Sequence, residues 1–170
     1  MPRPAPGAAR GRDQPPDGHR VRSLDTGSVL VISDKTNKII AAIPDRHSPG
    51  AIAVAPRTGD LYVANAAGGP GNAGSVSVIS GKTRTIVTTI ADRYGPFGVA
   101  VSPVTGEVYL VNQVDLDEGS VWVISGRTGK ITATIPDASS PTSVAVSPRT
   151  GDVYVGNSSI IDFSVWVISD

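Results

Sequence analysis

The chain predicts an all-β protein assembled from repeated four-stranded antiparallel units, and three observations carry that prediction. A block recurs in register. It begins at Gly27-Ser28-Val29, Gly74-Ser75-Val76 and Gly119-Ser120-Val121, then again at Phe163-Ser164-Val165, with spacings of 47, 45 and 44 residues. From Gly27 onward, short apolar runs alternate with turn chemistry, and no stretch follows the 3.6-residue period of a helix. The turn P-x-T-G occurs at 56–59, 103–106 and 148–151. A repeat of this length built of short strands is the length of one β-propeller blade, and such units bury their apolar faces only against their neighbours. Propellers close with about 4–8 blades. This chain holds a little over three repeats, so the expected fold is a β-propeller with an incomplete ring.

The best-preserved unit shows why each element forms. Residues 97–102 (FGVAVS) read as the first strand, and the turn at 103–106 ends it because Pro cannot donate to the ladder. The turn Gly supplies the positive φ that a tight hairpin needs. Residues 107–112 (EVYLVN) form the second strand, 113–118 a polar loop, 120–125 (SVWVIS) the third strand and 130–135 (KITATI) the fourth. First strands read Ile52-Ala53-Val54, Val99-Ala100-Val101 and Val144-Ala145-Val146, and the small central Ala suits the crowded innermost position. An incomplete ring exposes two apolar faces, so the chain is expected to be a piece of a larger ring, truncated or completed by another copy.

Composition narrows the function less than the fold. Fifteen basic residues balance fifteen acidic ones among 170, so no global field favours nucleic acid or a membrane surface. There is no cysteine, which removes disulfides and thiol chemistry. No apolar run approaches the roughly 20 residues of a membrane span. Residues 1–26 are rich in Pro, Gly and Arg and poor in apolar side chains. They are expected to be disordered, or to be upstream sequence read from a misassigned start, and as written they are not a signal peptide.

These residues resemble the YVTN family of β-propeller repeats. The motif that names the family is approximated at Tyr62-Val63-Ala64-Asn65, Tyr109-Leu110-Val111-Asn112 and Tyr154-Val155-Gly156-Asn157, with the third letter departing each time. The companion pattern P-x-x-[IV]-A-V-x-P starts at Pro49, Pro96 and Pro141, and the S-V-x-V-I-S strand recurs at 28–33, 75–80, 120–125 and 164–169. The resemblance covers about 27–170, and the family's strand order, innermost first, implies complete blades over about 49–91 and 96–136, with the two outer strands of one blade before them and the first three strands of another after. It implies a propeller of a family with exported and surface-associated members, similar to the propellers of quinoprotein dehydrogenases, lactonases and streptogramin lyases. No catalytic motif of those enzymes is matched, so it implies no catalytic residue and no cofactor.

Successive hairpins alternate between two faces of a propeller. One face carries Lys35, Lys38, Arg57, Lys82, Arg84, Arg127, Lys130 and Arg149 against Asp34, Asp60, Glu107 and Asp152, a balance of +4. The other carries Arg46 and Arg93 against Asp45, Asp92, Asp115, Asp117, Glu118, Asp137 and Asp162, a balance of −5. The basic face could meet phosphate, but no interleaved aromatics are present to stack bases, and charged hairpin tips are the plainer reading. The resemblance implies that the interblade segments Asp45-Arg46-His47, Asp92-Arg93-Tyr94 and Asp137-Ala138-Ser139 rim the central opening. That makes Asp45, Arg46, His47, Asp92, Arg93, Tyr94 and Asp137 the candidate ligand contacts, although an Asp repeated in every blade also serves its own turn. Asp115, Asp117 and Glu118 offer oxygen ligands to a hard cation but lack the spacing of an EF-hand loop. Trp122 and Trp166 share one repeat position and read as blade-to-blade packing.

The function expected from the sequence is a non-catalytic scaffold for binding or surface interaction, part of a larger or self-associating ring. The alternatives are a fragment of a lactonase-, lyase- or dehydrogenase-like propeller enzyme, and nucleic-acid binding through the basic face.

Overall fold

The computed structural model describes residues 27–45, 47–66, 73–115, 118–137, 139–158 and 163–169. Among the described residues thirteen strands form four antiparallel sheets, in which every hydrogen-bonded neighbour is also a neighbour in sequence. Strands β1 (Ser28–Ile32) and β2 (Ile39–Pro44) make a two-stranded sheet. A four-stranded sheet follows, of β3 (Pro49–Val54), β4 (Leu61–Asn65), β5 (Ser75–Ile79) and β6 (Ile86–Ala91). The next has β7 (Gly95–Val101), β8 (Glu107–Asp115), β9 (Glu118–Ser125) and β10 (Ile131–Asp137). The last has β11 (Pro141–Val146), β12 (Val153–Asn157) and β13 (Val165–Ile168). One expectation is corrected. The segment 113–118 is not mainly a loop: β8 and β9 extend through it, and Asp115 pairs with Glu118 across the end of a hairpin.

One turn design serves both kinds of hairpin on the basic face. Ser33, Ser80, Ser102, Ser125 and Ser147 each accept a backbone N–H from the residue three further on at 3.2–3.3 Å. The turn then closes through a left-handed residue: Gly59, Gly106 and Gly151 in the inner hairpins, Asn37, Arg84 and Gly129 in the outer ones. An L side chain with φ of +58° at Arg84 is strained. Arg84→Gly is therefore expected to raise stability by roughly 0.5–1 kcal/mol, read as a higher urea midpoint at unchanged m-value. The acids that follow the inner turns bond either beside the turn or, for Asp60, to the outer hairpin of the same sheet. Asp60 Oδ1 accepts the Gly81 N–H at 3.0 Å, Glu107 Oε2 accepts the Tyr109 hydroxyl at 3.2 Å, and Asp152 Oδ2 accepts Thr150 Oγ1 at 2.6 Å.

The core lies between sheets, as strand alternation dictates. Val63 and Ile79 on one side of the second sheet pack on Val29 and Ile43 of the first. Tyr62, Ala64, Val76 and Val78 on its other side meet Val99, Val108, Leu110 and Ile124 of the third, with Trp122 against the same cluster. Val111 and Val121 then meet Val153 and Val155 of the fourth. Residues buried together in this way are separated in sequence by about one repeat, which is why no blade can fold its faces alone. The Asn of the Y-x-x-N motif works inside a blade: Asn65 Nδ2 donates to Ser75 Oγ at 3.2 Å and Ser77 Oγ at 2.9 Å, tying the second strand to the third.

Candidate binding surfaces on the two loop faces

The interblade turns are built by their aspartates. Asp45 and Asp92 are 0% and 1% exposed. Asp45 Oδ1 accepts the His47 N–H at 3.2 Å, and Asp92 Oδ1 accepts the Tyr94 N–H at 2.9 Å. The same Asp residues anchor the turn to the preceding glycine, with Asp45 N–H bonded to the Gly27 carbonyl and Asp92 N–H to the Gly74 carbonyl. In both, Oδ2 is buried with no hydrogen-bond partner among the described residues. Burial pushes the Asp92 carboxyl up to about 6, against a smaller lowering by the Tyr94 N–H.

His47 adds something that Tyr94, in the equivalent turn, does not. Its Nδ1 lies 2.9 Å from Asp45 Oδ1, so the imidazole is oriented by a buried acid, and it is half-buried at the surface. Ser48 follows it with φ of +55°. Of the rim residues expected from the sequence, His47, Arg93 and Tyr94 reach the surface. Arg46 and Asp117 lie outside the described residues, and so do the side chains of Asp115 and Asp137. Glu118 is exposed at the start of β9. Among the described residues no three or more His, Asp or Glu side chains gather as metal ligands.

The opposite face holds a feature that sequence reasoning did not single out. A cavity of about 550 Å³ opens between the second and third sheets, on the basic hairpin side. Arg57, from the β3–β4 turn of one blade, and Arg127, from the β9–β10 hairpin of the next, both line it. Ala55, Val101 and the Tyr62 side chain give it an apolar wall. The Tyr62 hydroxyl donates to the Gly126 carbonyl at 3.2 Å and so ties one blade to the next. Burial, and then the charge of Asp60, raise the Tyr62 hydroxyl above its ordinary range, so it stays protonated there. Glu107 is the carboxylate of the wall, and its Oε2 is already engaged by Tyr109 and, at 3.5 Å, by Thr105. Neither arginine is in an ion pair with a described carboxylate. The signal available in sequence was that Val104 replaces Arg57 in the next repeat, which confines the pair to one cleft.

Solved structures show the same architecture. The chain is similar to Kuenenia stuttgartiensis hydrazine synthase, with a TM-score of 0.70 and 24% identity over 84% of this chain and 40% of that one. It is also similar to the Dos1 propeller, with a TM-score of 0.61 and 12% identity over 85% of this chain and 37% of that one. At these identities the likeness shows the fold, which is that of a β-propeller. The chain spans less than half the length of either structure. No protein-family model and no curated protein matches it.

Proposed function

We propose that the chain is a non-catalytic binding scaffold of the YVTN propeller type, part of a larger or oligomeric ring, and that it takes small organic oxyanions in the cleft between its second and third sheets. The observation that carries this is the convergence of Arg57 and Arg127, from two different blades, on a cavity with an apolar wall. Paired guanidinium groups suit carboxylate or phosphate, and the volume is in the range of small-molecule sites. Phenyl phosphate and benzoate titrated into the full chain are expected to bind with dissociation constants on the order of 1 mM at low salt, while neutral benzyl alcohol is not. Arg57→Ala and Arg127→Ala should each weaken binding about tenfold, and Arg149→Ala, at the equivalent turn outside the cleft, should leave it unchanged. Binding indifferent to both cleft arginines would sink the proposal.

A second reading has one observation in its favour. The Asp45–His47 pair at the rim has the orientation of a general base held by an acid, as a propeller enzyme fragment would need. Lactone hydrolysis that disappears in His47→Ala would favour it. Turnover equal to that of buffer would end it.

A further inference from the structure

We infer that the cleft takes a tetrahedral oxyanion group, a phosphate monoester or a sulfonate, in preference to a planar carboxylate, because the backbone N–H of Thr58 supplies a third donor beside Arg57 and Arg127. The inference rests on the oxyanion reading of the cleft. It names the ligand class and a further residue, Ala55, that sets it.

Among the described residues six hairpin turns on the basic face share one sequence frame. Five begin with a serine, at Ser33, Ser80, Ser102, Ser125 and Ser147, and the sixth begins with Ala55. In the five, the serine Oγ accepts the N–H of the threonine three residues on: Thr36, Thr83, Thr105, Thr128 and Thr150. Thr58 holds that position after Ala55, and alanine has no oxygen to offer it. The Thr58 N–H has no acceptor among the described residues.

The rest of this turn is built like its counterparts. The Ala55 N–H donates to the Asp60 carbonyl and the Gly59 N–H to the Ala55 carbonyl, both at 2.8 Å. In the next blade the Ser102 N–H donates to the Glu107 carbonyl at 2.8 Å and the Gly106 N–H to the Ser102 carbonyl at 2.9 Å. Thr58 Oγ1 accepts the Asp60 N–H at 3.2 Å, as Thr105 Oγ1 accepts the Glu107 N–H at 3.2 Å. Gly59 and Gly106 close the two turns with φ of +76° and +79°. With the same backbone, the Thr58 N–H is aimed at the place where a serine Oγ stands in the other turns.

That place borders the cavity, since Ala55 and Thr58 both line it together with the two arginines. A ligand oxygen there accepts the Thr58 N–H as a serine hydroxyl does elsewhere. The guanidinium groups take the remaining oxygens. One guanidinium fork already engages both oxygens of a carboxylate, whereas a phosphate monoester offers three acceptor oxygens, and a sulfonate has the same number. Backbone N–H groups of a turn are a recurring way to hold such anions. The acid closest in sequence does not compete for the arginines: Asp60 Oδ1 accepts the Gly81 N–H at 3.0 Å and is in no ion pair.

Benzoate, benzenesulfonate and phenyl phosphate titrated into the full chain test the inference. The first two carry one charge each and differ in oxygen number, so they separate geometry from charge. Benzenesulfonate is expected to bind about fivefold more tightly than benzoate, and phenyl phosphate at least as tightly as the sulfonate. Ala55→Ser gives Thr58 the acceptor that its five counterparts have, so its urea midpoint should be no lower than the parent's. It should erase the margin of benzenesulfonate over benzoate and leave benzoate binding as it was. The Thr58 amide resonance should move when benzenesulfonate is added to the parent chain and stay still in Ala55→Ser. Ser147→Ala, in the equivalent turn outside the cleft, should leave all three affinities unchanged. A sulfonate that binds no more tightly than benzoate, a margin that survives Ala55→Ser, or a Thr58 resonance that does not move overturns the inference; benzoate binding that still depends on Arg57 and Arg127 would leave the oxyanion reading standing. Benzoate binding lost along with sulfonate binding in Ala55→Ser also overturns it, because the added hydroxyl would then be crowding the cleft rather than replacing one ligand oxygen.

Discussion

Gly74→Ala is expected to cost more than 3 kcal/mol, enough to remove most of the stability of a domain of ordinary margin. A Cβ at this position would collide with Pro96 Cδ and the Tyr94 carbonyl and would stand 2.9 Å from the Asn65 carbonyl oxygen. Two of these are backbone atoms and the third is a rigid ring, so none can turn aside as a flexible side chain would. The design recurs: Gly27 meets Pro49 and Gly119 meets Pro141 in the same way. In each case the glycine that begins a third strand receives the proline that begins the first strand of the next blade, so the contact fixes how closely successive blades stack. Gly59 is the contrast. It has a φ of +76° and nothing within 4 Å of an added Cβ, so Gly59→Ala should cost only the left-handed strain, about 1–2 kcal/mol. Urea unfolding of the two variants checks the difference. Equal losses would mean that the blades can move apart to admit a methyl group. Phe163 takes the glycine's place in the fourth repeat and is exposed. A side chain of that size could not receive a first-strand proline as its three counterparts do.

Strands and hairpins were legible because their causes are local. Alternation of Val and Ile with small or polar residues, and Pro, Thr and Gly at fixed turn positions, act within ten residues of one another. The hairpin end at 113–118 was misread for the same reason. The backbones of Gln113 and Asp115 still pair with those of Gly119 and Glu118, and polarity alone does not separate a strand end from a loop. The candidate sites depended on contacts that sequence distance hides. Asp45 and Asp92 looked like rim ligands as a run of charged letters, yet the turn closes around them and buries them. Arg57 and Arg127 stand 70 residues apart, and only the stacking of one blade on the next brings them to one cleft. The Asp45–His47 contact, at a separation of two residues, was within reach of local reasoning.

Asp92 should make the protein more stable in mild acid than at neutral pH. Its carboxyl is raised from 3.8 to about 6 by burial, so between those values the folded chain binds a proton that the unfolded chain has released. The stability linked to this group is then full below about 3.8 and declines as pH rises through about 6. Above that it is flat, because both states carry the charge. The loss across the window is on the order of 2–3 kcal/mol, the cost of holding an ionised group that is 1% exposed with one oxygen unpartnered. Asp92→Asn keeps the oxygen that accepts the Tyr94 N–H and removes the charge. At pH 7.5 the variant is therefore expected to melt about 5–10 °C above the parent chain. Near pH 4, where the parent's own carboxyl is largely protonated, the two should converge. Melting curves at pH 4, 5, 6 and 7.5 test the sign as well as the size. A parent chain whose stability rises between pH 4 and 6 while the variant's stays flat would mean that the Asp92 carboxylate is stabilised in the fold, and that an ion or a water reaches its second oxygen in solution.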